Sequence, residues 1–182
     1  VISAELFLMI CRIYSSYAPV LPYEQLTSDD LSGVLDYLHT SHLYYLEVTL
    51  PHLDAKMAAM TATCDGVHRK ILSTFFADYR REVDNHFDYE EQTVFPYVQA
   101  LLEKRRVDGY NILCFEDNHS DIDGKLWELK NIIIKYLPEN CSAKLRYEVL
   151  SDIFRFEEDL SRHTVIENQI LIPLVEKLEK NG

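Results

Sequence analysis

The segment HFDYEEQTVFPYV begins at His86, and HTVIENQILIPLV begins at His163, 77 residues later. Each places a glutamate four residues after the histidine, a glutamine at six, a proline at ten and a valine at twelve. The first copy supplies His86, Glu90, Gln92, Pro96 and Val98; the second supplies His163, Glu167, Gln169, Pro173 and Val175. On a helix, residues i and i+4 share one face with Cβ atoms about 6 Å apart. Two such helices facing each other offer two imidazoles and two carboxylates to a common point, a donor set suited to a pair of iron ions. A repeat of about 20–50 residues would indicate a solenoid, whereas two copies this far apart indicate two equivalent helices of one bundle.

Turn signals show which elements must carry these residues. APVLP at 18–22 ends an N-terminal helix, and SDD at 28–30 caps a helix running to about Ala62. TCDG at 63–66 is a turn before a helix from about Val67 to Leu102, with Pro96 as a kink. RRVDG at 105–109 is a loop, a third long helix reaches Tyr136, and LPENCS at 137–142 separates it from a fourth, about Ala143 to Lys180. Apolar stripes alternating in steps of three and four run along all four. They are Leu31, Leu35, Leu38, His42, Tyr45, Thr49; Leu72, Phe75, Tyr79, Val83, His86, Glu90; Ile112, Phe115, His119, Ile122, Leu126, Leu129, Ile133; and Val149, Ile153, Phe156, Leu160, His163, Glu167, Ile170, Leu174. A histidine interrupts every stripe. The midpoint of His42 and His86 is residue 64, inside one turn, and that of His119 and His163 is residue 141, inside another. The four histidines are therefore expected in one layer.

Bulk composition bounds the function classes. A chain of 182 residues with 47% apolar content is expected to hold one well-cored domain, residues 28–182, behind an N-terminal helix and linker, residues 1–27, the remnant of a longer chain. Eighteen basic against thirty acidic residues give a net charge of −12, which argues against binding of nucleic acid or anionic membrane by this chain. No run reaches the ~20 apolar residues that span a bilayer. Cys11, Cys64, Cys114 and Cys141 form no paired motif and no zinc spacing, so they read as scattered thiols of a cytoplasmic protein. Phosphate loops and nucleophile triads are absent from the sequence.

A single histidine in an apolar stripe is ordinarily a hydrogen-bonded core residue. Four in one layer with two glutamates ask for more, because a buried unpaired carboxylate costs several kcal/mol. Plain His–Glu ion pairs are the alternative that needs no metal. Imidazole and carboxylate without thiolate suit iron, manganese or zinc. The order His-x-x-x-Glu differs from the Glu-x-x-His of ferritin-like proteins. Asp88, Glu91 and Asn168 fall off the stripes and are expected in solvent. Tyr45 and Tyr79 are expected in aromatic core packing; the alternative places them behind the ligands, orienting a ligand or bound oxygen.

The phrases DYLHTSHLYYLEVTLPHL, NHFDYEEQTVFPYV, FEDNHSDIDGKL and DLSRHTVIENQILIPLV, within residues 31–178, resemble the hemerythrin HHE cation-binding domain. They are most similar to Ric-type proteins, which are linked to repair of iron–sulfur centres after oxidative or nitrosative damage. The resemblance implies an all-α fold: an antiparallel up-and-down four-helix bundle, here with an additional N-terminal helix. It implies two non-haem iron ions, oxo- or hydroxo-bridged, held by His42, His86, Glu90, His119, His163 and Glu167. His39 is the alternative to His42 on the first helix. His68 is a candidate fifth histidine only if the chain near Gly66 folds back, since eighteen residues of helix would separate it from His86 by about 27 Å. His52 is expected at a helix surface. The resemblance further implies O2 or NO as small ligand, iron–sulfur proteins as partners and a role in stress response. The alternative is an O2- or NO-sensing, or O2-binding, domain of a larger regulatory protein. The paired-cysteine segment of Ric-type proteins has no counterpart before residue 30.

Overall fold

The computed structural model describes residues 2–15, 25–105, 107, 109–118, 122–139 and 141–181. Among them every regular element is helical: α1 (Ala4–Ser15), α2 (Asp30–Tyr44), α3 (Leu50–Ala62), α4 (Gly66–Tyr89), α5 (Phe95–Leu102), α6 (Leu113–Asn118), α7 (Ile122–Tyr136), α8 (Ala143–Ile166) and α9 (Ile172–Asn181). Three short π-helical segments join α2 to α3, α4 to α5 and α8 to α9. They are π1 (Tyr45–Thr49), π2 (Glu90–Val94) and π3 (Glu167–Leu171). No helix among the described residues is long and apolar enough to cross a membrane.

The π segments have a sequence cause. Pro51, Pro96 and Pro173 each stand six residues after a segment's first residue. A proline has no N–H to give the carbonyl four residues back. In each run the residue just before the proline instead bonds five residues back: Leu50 N–H to Tyr45 O, Phe95 N–H to Glu90 O, and Ile172 N–H to Glu167 O. The turn widens by one residue. Around Pro96, where the sequence suggests a kink, the structure has a π turn.

The chain divides into two compact units. The first comprises residues 1–42, 87–119 and 161–182. Its core joins Leu6, Met9 and Ile13 of α1 to Leu31, Val34 and Leu38 of α2, with Phe95 and Val98 of α5 and Ile170, Leu174 and Val175 of the π3–α9 run. Each such side chain, fully buried, contributes about 1.5–3 kcal/mol. Gly33 lets α1 approach α2 closely, since a Cβ there would sit 3.1 Å from Leu6 Cδ2. The Asp30 carboxylate ties down the start of α2, accepting from the Thr27 N–H at 2.9 Å and from the Thr27 hydroxyl at 3.2 Å. Burial favours the neutral form of Asp30, but hydrogen bonds from Ser3 and Thr27 outweigh it and lower its pKa. At the other end of the unit, Glu179 of α9 accepts from Tyr97 Oη at 2.5 Å and from Ile112 N–H at 2.8 Å.

The second unit comprises residues 43–86 and 120–160. Tyr45, Leu53, Met57, Met60, Leu72, Tyr79, Val83, Leu126, Ile133, Ile153 and Phe156 are among its buried residues. The one buried lysine among the described residues, Lys130, pairs with Glu157 and lies 4.7 Å from the centroid of the Phe154 ring. Arg69 ties the turn after α3 by donating to the carbonyls of Thr61, Ala62 and Cys64. The expectation of four unpaired thiols is corrected at two of them. Cys64, in the turn after α3, and Cys141, in the turn before α8, form a disulfide with Cα atoms 4.6 Å apart. Cys11 and Cys114 remain thiols.

Candidate metal centre

Within the first unit, three helical runs bring four ionisable side chains to one point. α2 carries His42, π2 begins with Glu90, α8 carries His163, and π3 begins with Glu167. The His42 Nε2 atom lies 3.0 Å from Glu90 Oε2 and 3.1 Å from His163 Nε2. The His163 Nε2 atom lies 3.1 Å from Glu167 Oε1 and 3.9 Å from Glu90 Oε2. One donor atom from each residue falls within 4.8 Å of all the others.

All four are buried, and both glutamates have no exposed surface. The Phe87 and Phe95 rings stack on His42, at centroid distances of 4.3 and 5.4 Å with interplanar angles of 22° and 7°. The edge of Phe87 also meets His163 at 5.8 Å. The apolar walls exclude water, so the two carboxylates must find their compensation inside the cluster. Imidazole nitrogens and carboxylate oxygens bind a divalent ion at about 2.0–2.2 Å, which separates donors by about 3–4 Å. The observed spacings match this range with little closing, and the donor set fits a metal ion.

Each histidine is gripped from behind. His42 Nδ1 lies 2.7 Å from Glu91 Oε1, and His163 Nδ1 lies 3.0 Å from Ser41 Oγ. Both rings therefore direct Nε2 inward. Burial favours neutral His163, but the Glu167 and Glu90 carboxylates outweigh it and push its pKa up to about 10. In the metal-free protein a proton on His163 takes the cation's place.

A linkage prediction follows from the sign of this shift. The folded pKa is raised above the ordinary 6.5, so the stabilisation is complete below pH 6.5 and is lost as pH rises through about 10. Metal binding must displace the proton. Loading at pH 8 is expected to release about one proton from His163, measurable by calorimetry in buffers of different ionisation enthalpy. Loading without proton release at pH 8 would refute the assignment of that proton.

The other sequence candidates lie as follows. His86 is buried on α4, four residues before Glu90, and is not one of the four residues whose donors converge. His119 lies outside the described residues. His39 is half exposed and sets its Nδ1 3.0 Å from both oxygens of Glu91. His68 is engaged at the start of α4, where its Nδ1 lies 2.7 Å from Asp65 Oδ2. His52 is exposed, 3.4 Å from Asp152. Tyr45 and Tyr79 are buried in the second unit, Tyr45 edge-on to Phe156 at 5.5 Å with its hydroxyl 3.4 Å from Asp159 O.

Asp88 and Asn168 are exposed, as their off-stripe positions imply. Glu91 corrects that rule: its side chain is 30% exposed and holds two histidines of α2. Sequence reasoning also misses Ser41. The signal for both was that a ligating imidazole needs a partner for its second nitrogen.

A family model described as Hemerythrin HHE cation binding domain matches residues 34–176, a span that takes in all four converging residues. No curated protein and no solved structure matches the chain.

Proposed function

Because the chain belongs to the hemerythrin HHE cation-binding family, matched over well more than half its length, we propose that it is a non-haem iron protein of the di-iron type. The observation that carries this reading is the buried convergence of His42, Glu90, His163 and Glu167. Thiolate is absent from the cluster, which disfavours a structural zinc site; iron is the choice that family membership favours. His86 and His119 complete the proposed ligand set. The same membership supports an antiparallel up-and-down arrangement of the four long helical runs.

When bound, a pair of iron ions supplies redox chemistry and open coordination positions for a small diatomic ligand such as O2 or NO. The chain's own residues do the rest. Glu90 and Glu167 bring the negative charge that selects a multivalent cation. Phe87 and Phe95 keep water from His42 and hold its ring in place. Through its likeness to Ric-type proteins, the motif pair favours a role in the response to oxidative or nitrosative stress, with damaged iron–sulfur proteins as partners.

The test is metal content with an optical spectrum. Anaerobic reconstitution with Fe(II) is expected to give about two iron per chain, with near-ultraviolet absorption after oxidation and a changed spectrum on exposure to NO. Failure to bind iron under these conditions refutes the proposal, and a single bound ion refutes its di-iron form.

A further inference from the structure

Resting on the metal-binding reading above, we propose that Glu91 and Ser41 are positioning residues that lock the tautomers of His42 and His163 and make the two imidazoles unequal donors. A serine hydroxyl has one proton. Ser41 Oγ donates it to Leu38 O at 2.7 Å. Toward His163 Nδ1, 3.0 Å away, the same oxygen can therefore only accept. His163 must carry a proton on Nδ1, and Nε2 is the atom left for a metal.

Glu91 imposes the same tautomer on His42 by different chemistry. An ionised carboxylate only accepts, so at 2.7 Å the His42 Nδ1 is the donor. The carboxylate is itself aimed by His39, whose Nδ1 lies 3.0 Å from each of its oxygens. His39, half exposed on the same helix, acts as the outer anchor of this arrangement. The His42 Nε2 then faces Glu90 Oε2 at 3.0 Å, on the side where the four donors converge.

The two locks differ in charge. A carboxylate behind an imidazole raises its basicity as a ligand, whereas a neutral hydroxyl mainly fixes its orientation. His42 is accordingly the stronger donor. The internal repeat sharpens the contrast, because the position of Glu91 in the first copy is held by Asn168 in the second. The charge is built into one copy only.

Loss of such a partner costs about 10–100-fold in metal affinity. Titration with Co(II), followed by its ligand-field bands, is expected to place Glu91→Ala in that range below wild type. Glu91→Gln, which keeps an acceptor but not the charge, should recover part of the loss and shift the bands. Ser41→Ala should cost less than Glu91→Ala. A second arm uses the metal-free protein. Nitrogen-15 NMR is expected to show both His42 and His163 protonated on Nδ1, with that state of His42 kept in Glu91→Gln and lost in Glu91→Ala. Equal affinities across the variants, or a wild-type His42 lacking a proton on Nδ1, would overturn the proposal. If wild-type protein bound no Co(II) and no Fe(II), the metal reading would fail, while the NMR arm would still decide the tautomer locks.

Discussion

Glu167→Gln is expected to remove most metal affinity and to leave the metal-free protein less stable than its parent. The metal-dependent gain, read apart from the metal-free baseline, separates a metal ligand from a structural residue. In the metal-free protein, burial opposes a charge on His163, and Glu167 Oε1, 3.1 Å from its Nε2, does most to raise its pKa. Neutralising that carboxylate removes one partner of a buried pair, a loss on the order of 1 kcal/mol or more. With metal present the loss is larger. A removed ligand should cost more than the roughly 100-fold typical of a supporting residue. At a free metal concentration 100 times the dissociation constant, binding stabilises the parent by about 2.7 kcal/mol. A 100-fold weaker variant at the same concentration gains only about 0.4 kcal/mol. Thermal unfolding with and without Fe(II) reads both quantities, and His52→Ala, a substitution at an exposed position, is the control. An undiminished metal-dependent rise would show that Glu167 serves the fold instead.

How legible this centre is in the sequence differs from residue to residue. The stripe from Val149 through His163 and Glu167 to Leu174 is buried at every expected position, because an apolar spacing of three and four leaves one face for the core. The stripe of α4 is less faithful: it selects Phe75, but Phe76 is the buried residue and Phe75 lines a surface groove with Ile71 and Asp78. One residue turns a side chain by about 100°, and over a long helix that phase is easily misjudged. The same step explains Glu91, which leaves the stripe of Glu90 and reaches His39 and His42 of α2. Periodicity separates core from solvent, but cannot see a neighbouring helix waiting at the margin. The π turns were legible in principle, since three prolines stand at one fixed offset. Pro51 shows that the plan occurs a third time, with Tyr45 where the other copies have Glu90 and Glu167.

The disulfide carries the second large effect. Cys64 and Cys141 are 77 residues apart, the same separation as His86 and His163. The bond thus joins equivalent positions of the two copies, each in the turn midway between two histidines. That coincidence, and no local cysteine motif, was its signature. Cross-linking residues so distant removes loop-closure entropy from the unfolded chain, about 4.5 kcal/mol for a loop of this length. Against the roughly 5–15 kcal/mol that stabilise a typical domain, this is a large share. Denaturant unfolding with and without reductant is expected to differ by about 3–4.5 kcal/mol, and Cys64→Ser should reproduce the reduced value. Thiol titration of the unfolded, unreduced chain should find Cys11 and Cys114 alone. Four reactive thiols there, or an unfolding midpoint indifferent to reductant, would show the bond absent or without effect. In a cytoplasm kept reducing by glutathione the dithiol form prevails, so there the unit of residues 43–86 and 120–160 would rest on its apolar core without this bond.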